Sequence, residues 1–238
     1  MKKGGFTLIE CLVGLALSFF VISTGLEFTI RAEKAFLRLK EREEAGQAAL
    51  AALDRMRIDL LHAGRGLSPE IGLGLLEAAA ATPDELRTAS LEKKLSLAAD
   101  ARAGDTRLSL LSTADVTAGQ QLALREGAAG EVRTVILVEA GAVVVDAPIA
   151  RDYARGTAFF SLVERVTYFL DAGARVLRRR VNASPAQPLL EDAVLAVWSL
   201  DSASHLVRIR LELDIEGAHP HEATVFLKNP ALARDPGT

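Results

Sequence analysis

The first thirty residues limit what this chain can be more than anything that follows them. They read MKKGGFTLIECLVGLALSFFVISTGLEFTI. Lys2 and Lys3 come first, then Gly4 and Gly5. From Phe6 to Phe28 the run is almost wholly apolar, and its ionisable side chains are Glu10 and, near the far end, Glu27. As a helix at about 1.5 Å per residue this run is roughly 34 Å long. A bilayer's hydrocarbon core is about 30 Å thick, so residues 6–28 are predicted to cross it. The basic residues precede the run, which puts the N-terminus in the cytoplasm and the remainder outside. A conventional secretory signal has an apolar run of about 7–15 residues with small residues after it. Here the glycine pair stands before the run, and a carboxylate sits early within it. An acidic side chain at bilayer depth costs on the order of 3 kcal/mol, which marks Glu10 as a functional residue that needs a partner.

Composition narrows the choice further. Of 238 residues, 50% are hydrophobic and 25% charged, which excludes a disordered chain. The formal charge of −3 gives no electrostatic footprint for nucleic acid, and none is expected as a partner. A single cysteine, Cys11, excludes an intrachain disulfide framework or a cysteine-based zinc site. Cys11 lies inside the apolar run and is read as a small hydrophobe. Mean hydropathy is +0.21, and most of the excess lies in the opening run.

Helix-forming residues dominate from Arg31 to His62, and no proline occurs before Pro69. Ala49, Leu53, Met56, Leu60 and Ala63 recur at the spacing of one helix face. The pattern predicts one helix from about Thr7 to about Ala63, with Gly25 or Gly46 as places to bend. Gly64-Arg65-Gly66 ends it and Ser68-Pro69 reinforces the stop. Such a helix cannot be stable alone in water, so its outer apolar stripe should pack on a sheet.

From Leu95 the period changes to that of strands. Short candidates at Leu108–Leu110, Leu122–Leu124, Val135–Val138, Val143–Val145 and Phe159–Phe160 alternate with turn signals such as Gly104-Asp105 and Ala140-Gly141. A second block alternates from Val163 to Leu170, turns at Asp171-Ala172-Gly173 and returns through Arg175–Val181, which predicts a hairpin. Further strands are expected at 190–200, 207–215 and 223–227. The predicted class is α+β. It consists of a long N-terminal transmembrane and spine helix packed on an antiparallel β-sheet, with an additional small β-barrel or sandwich-like insertion.

The chemistry-bearing residues are sparse. Arg178-Arg179-Arg180 cannot all point one way in a strand, and a solvated edge strand is the expected setting. His219-Pro220-His221 lacks nearby ligands at metal spacing other than Glu222 and Glu216. Trp198 is expected in a core or at an interface. There is no P-loop, dinucleotide fingerprint, HExxH or nucleophile elbow. No catalytic residue, metal or cofactor is expected, and the chain is not read as an enzyme.

Gly5-Phe6-Thr7-Leu8-Ile9-Glu10, behind a short basic leader and before a spanning run, resembles the type IV prepilin signal. Arg57, Asp59, Leu60, Ala63 and Gly64 resemble the end of the spine helix in PilW-type minor pilins and in the J-type pseudopilins of type II secretion. The resemblance implies cleavage by a prepilin peptidase between Gly5 and Phe6 and methylation of the new amino group on Phe6. It also implies a pairing of Glu10 with that amino group, on a neighbouring subunit or its own chain, that sets subunit register. On this reading residues 1–5 are a leader, 6–28 the transmembrane helix and 29–66 its periplasmic extension. Residues 67–96 are a connecting segment with a short helix, 97–160 the β-rich insertion, 161–230 a pilin-like sheet and 231–238 a loose tail. The chain is then expected in the inner membrane as a single-pass protein with a periplasmic domain, and later in a pilus or pseudopilus. Its expected partners are the peptidase, other minor pilins, the major pilin and the inner-membrane assembly platform. The expected role is priming of pilus assembly near the tip. The alternatives are a J-type pseudopilin of type II secretion or an adhesive module at a filament tip.

Overall fold

A single helix, α1, runs from Leu8 to His62 in the computed structural model, which describes residues 8–215, 217 and 219–230. The leader, Gly5, Phe6 and the 231–238 tail therefore lie outside the described residues. The chain divides into two compact units, Met1–Gln47 and Ala48–Thr238.

In the second unit, α1 buries Ala49, Ala52, Leu53, Met56, Asp59 and Leu60, the face predicted from the sequence with Ala52 and Asp59 added to it. Each large apolar side chain hidden in this way stabilises by roughly 1.5–3 kcal/mol. The helix stops because Gly64 takes a φ of +74°, which a side chain would resist. A Cβ there would also come within 3.0 Å of Ala78 and Ile71. The last carbonyls need donors, and Asn229 supplies them from the far end of the chain. Its Nδ2 donates to the carbonyls of Leu61 at 3.3 Å and Ala63 at 2.9 Å. Ser68-Pro69 does more than stop α1: it opens a short helix, α2 (Ser68–Gly72), with proline in its first turn.

The strands are β1 (Ala79–Ala81), β2 (Glu85–Leu95), β3 (Arg107–Ser109), β4 (Gln121–Glu126), β5 (Ala129–Glu139) and β6 (Ala142–Val145). They continue as β7 (Phe159–Asp171), β8 (Val176–Val181), β9 (Gln187–Leu190), β10 (Ala193–Asp201), β11 (Leu206–Leu213) and β12 (His221–Phe226). One sheet has the order β1-β2-β7-β4-β5-β6-β3, with β8 on β7 and β9 on β8; β10-β11-β12 form a second sheet. Every pairing between the named strands is antiparallel.

Three boundaries differ from those read in the sequence. The connecting segment at 67–96 contains α2, β1 and the 11-residue β2, which pairs with β7 from Glu85–Phe169 to Leu95–Phe160. Thr82-Pro83-Asp84 is the β1–β2 turn, closed by the Thr82 N–H on the Glu85 carbonyl at 2.9 Å. The line drawn between 160 and 161 falls inside β7. That strand carries β2 along one edge, and along the other β4 at Phe159–Val163 and then β8 at Val166–Asp171. The strand expected at 190–200 is β10, which starts at Ala193 and has a register shift between Ala193 and Leu195, and a separate short strand, β9, precedes it.

A tight core lies under the first block. Leu95, Leu97, Leu108, Leu110, Leu122, Leu124, Val135, Val143, Tyr153, Phe160 and Leu162 are all buried in it. Tyr153 meets Phe160 edge-on at 5.7 Å. Just past β2 and β3, Leu97 bridges to Leu110, held by Ala98 N–H to Ser109 O and Leu111 N–H to Ser96 O, both 2.9 Å.

Candidate functional site

In the first unit, the part of α1 from Leu8 to Phe28 exposes every large apolar side chain by more than half. A helix that is apolar on all sides belongs in a protein core or a membrane, and among the described residues nothing buries this stretch. It is long and apolar enough to cross a bilayer once. Three hydroxyls in and just past this stretch bond back along the helix. Ser18 Oγ donates to Gly14 O at 2.8 Å, Thr24 Oγ1 to Phe20 O at 2.6 Å and Thr29 Oγ1 to Gly25 O at 2.9 Å. Such back-bonding lowers the cost of placing a hydroxyl in hydrocarbon. The Glu27–Arg31 ion pair marks the polar end of the stretch. Glu10 stands on this exposed helix, as does Cys11. Gly14 and Gly25 have open space where a side chain would be, which leaves room for another helix to approach.

Apolar exposure continues past the span. Phe36, Leu37 and Leu39 are exposed in the first unit. In the second unit Leu50 and Leu61, eleven residues apart, are 57% and 45% exposed while the opposite face of the helix is buried. Eleven residues make three turns of an α-helix, so Leu50 and Leu61 share one face. That part of the helix therefore has an inner apolar face and an outer one.

Asp59, part of the Arg57–Gly64 motif, is the best-built polar site. It is 8% exposed. Arg179 Nε donates to its Oδ2 at 2.7 Å and Tyr168 Oη donates to the same oxygen at 2.5 Å. Arg55, one turn earlier, lies 3.4 Å from Oδ1. Burial, then the bond to Asp59, pushes the Tyr168 hydroxyl well above the ordinary tyrosine range. Burial opposes the charge on Arg179, but the bond and charge of Asp59 outweigh it and hold that guanidinium above its usual value. The arrangement ties the spine helix to β7 and β8. The buried cluster joins a helix to two strands and acts as a lock between them.

The arginine run is thereby corrected. β8 lies between β7 and β9 and is not an edge. Arg179 points inward to Asp59, Arg178 pairs with Asp171 at 3.0 Å, and Arg180 lies 5.6 Å from the Phe169 ring centroid. Sequence reasoning also missed Glu70, which is 2% exposed. Ser161 Oγ donates to its Oε1 at 3.0 Å, with Arg125 Nε 3.8 Å from that oxygen. Trp198 is buried on β10 and donates from Nε1 to Thr82 O at 2.6 Å. Among the described residues no group of three or more His, Cys, Asp or Glu is placed to hold a metal. His221 opens β12, paired with Leu211.

No family model matches the chain, and no curated protein matches it. Among solved structures, the Gp54 tailspike of Acinetobacter baumannii bacteriophage AP22, in complex with A. baumannii capsular saccharide, is similar over 32% of this chain, at 14% identity and a TM-score of 0.28. The match spans 15% of the tailspike's length, too little to bear on fold or function.

Proposed function

We propose that the chain is a PilW-like minor pilin, cut by prepilin peptidase between Gly5 and Phe6. It helps to prime assembly of a type IV pilus and sits near its tip. The observation that carries this reading is the character of α1. It begins as an exposed, apolar, membrane-length helix with a carboxylate at Glu10, and it ends as the buried spine of a β domain. One helix thus serves both a bilayer, or a bundle of like helices, and a folded domain. The N-terminus is then cytoplasmic and the β domain periplasmic, because Lys2 and Lys3 precede the span. The exposed Leu50 and Leu61 give neighbouring subunits a second apolar contact. Glu10 pairs with the amino group released at Phe6, so that two charges are buried together and each offsets the other. The partners follow from this role: prepilin peptidase, other minor pilins, the major pilin and the inner-membrane platform.

We read the first β block, with the end of β2 and the start of β7, as a small barrel. The support is the Leu97–Leu110 bridge, which links the two ends of the path β2-β7-β4-β5-β6-β3 around one core. An adhesive role for this block should be tested by surface substitutions. Excising 97–160 would remove the partners of Leu95 and Leu162 and part of β7.

Glu10→Ala tests the assembly role. Cleavage should proceed, while incorporation into filaments should fall sharply. Wild-type incorporation by this variant would rule out the pairing.

A further inference from the structure

Arg87, Arg165 and Arg180 come from β2, β7 and β8 and meet on one face of the large sheet. The pairing sets Arg87 opposite Thr167, and Thr167 opposite Arg180. Residues opposite each other on neighbouring strands share a face. Arg165, two residues before Thr167 on β7, lies on that face too. With Glu85, Gln121 and Asn182 the three arginines line a cavity of about 190 Å³. A second cavity of about 230 Å³ shares Arg87, Gln121 and Arg165, and its remaining wall includes Leu75, Leu76, Glu77, Ala80 and Val132.

The charge in the first cavity is not balanced. Three guanidinium groups face one carboxylate, Glu85, which is already paired with Arg87. Arg165 donates to the neutral Gln121 Oε1 at 2.5 Å, and Arg180 stacks on Phe169. Among the described residues neither has a carboxylate at ion-pair distance. Burial and then the positive charge of Arg87 hold the Arg165 pKa below its usual value. The lock at Asp59 shows the contrast, since there a buried arginine has its carboxylate. Arg87 and Arg180 are exposed to water, but Arg165 is half-buried beside the positive Arg87, and this repulsion around one cavity points to a binding site.

We propose that this cavity binds a phosphate monoester, with the phosphate among Arg87, Arg165 and Arg180 and the organic part against Leu75, Leu76 and Val132. The excess of two positive charges matches a group that carries about −1.5 to −2 at neutral pH. Guanidinium forks pair well with phosphate oxygens, and a single carboxylate would leave part of the excess unmet. Gln121, Asn182 and the Thr167 hydroxyl add neutral polar groups around the same space.

The test is calorimetric titration of the full-length chain in detergent micelles at fixed ionic strength, with inorganic phosphate and with phenyl phosphate. Saturable binding is expected for both, with phenyl phosphate tighter by about tenfold through the second cavity. Arg165→Gln and Arg180→Gln should each weaken binding by about tenfold or more. Arg210→Gln, at an exposed position of β11, should leave it unchanged. Arg165→Gln removes a repulsion, so the ligand-free variant should melt no lower than the parent; if it melts lower, the exposed Arg180→Gln decides. Equal affinity for the two probes would overturn the ester assignment in favour of free phosphate. No saturable binding, or affinities that both variants leave intact, would overturn the site.

Discussion

Between Leu8 and Phe28, helix α1 presents apolar side chains on every side, and between Ala49 and Leu60 it hides one face against the β domain. Each stretch also carries a carboxylate. Asp59 is partnered within its own chain, by Tyr168 and Arg179, which lie 109 and 120 residues away in sequence. Glu10 stands where the proposed partner is an amino group made only by proteolysis. The first stretch leaves its apolar side chains exposed among the described residues, and the second buries one face on folding. Substitutions in the second stretch should cost stability. Substitutions in the first should cost localisation or assembly and leave the β domain intact.

The largest effect is expected at the lock. Asp59→Ala strands Arg179 and the Tyr168 hydroxyl in a buried site, and loss of one partner of a buried pair costs about 3–5 kcal/mol. Denaturant unfolding of the β domain reads this directly, and an unchanged midpoint would break the comparison. Leu60→Ala removes a fully buried side chain and should cost about 2–5 kcal/mol by the same assay. Tyr168→Phe removes one hydrogen bond to a charged acceptor and should cost about 1.5–3 kcal/mol.

Both tyrosines, Tyr153 and Tyr168, are held above their ordinary value of 10.0, in each case first by burial and then by a nearby carboxylate. The sign follows from the raised folded-state pKa. This stabilisation is complete below pH 10 and is lost as pH climbs from 10 toward the folded value. Tyrosinate absorbance of the native protein should therefore appear only well above pH 10, and Tyr168→Phe should flatten part of the alkaline loss of stability. The smallest stability effect belongs to Leu61→Ser, an exposed position, at about 0.5 kcal/mol or less. If Leu61 meets a neighbouring subunit, that variant still lowers incorporation into filaments.

The parts legible in sequence were those set by local pattern. α1 was expected from Thr7 to Ala63 and runs from Leu8 to His62, because composition carries the helix and Gly64 ends it. The β7–β8 hairpin followed from two strand-forming runs on either side of the turn signal at Asp171-Ala172-Gly173. What stayed hidden was set by distant pairing. Glu85–Leu95 is rich in charge, and its strand state comes from lying along β7. Ala79–Ala81 prefers helix by composition and is a strand through its pairing with β2. Arg179 looked like one of three solvated arginines because its partner lies on another element. A buried aspartate in an apolar helix face was the available sign that a cation had to come from somewhere. The Arg87–Arg165–Arg180 cavity had no sequence signal, since four strands contribute one or two residues each.

The central claim is that α1 begins its life as a prepilin segment. The most direct measurement is the intact mass and N-terminal peptide of the membrane-extracted protein, made with and without prepilin peptidase. The account predicts a mature chain that starts at N-methylated Phe6 when the peptidase is present and at Met1 when it is absent. A chain that keeps Met1 in both, or one cut after the apolar run, would contradict it.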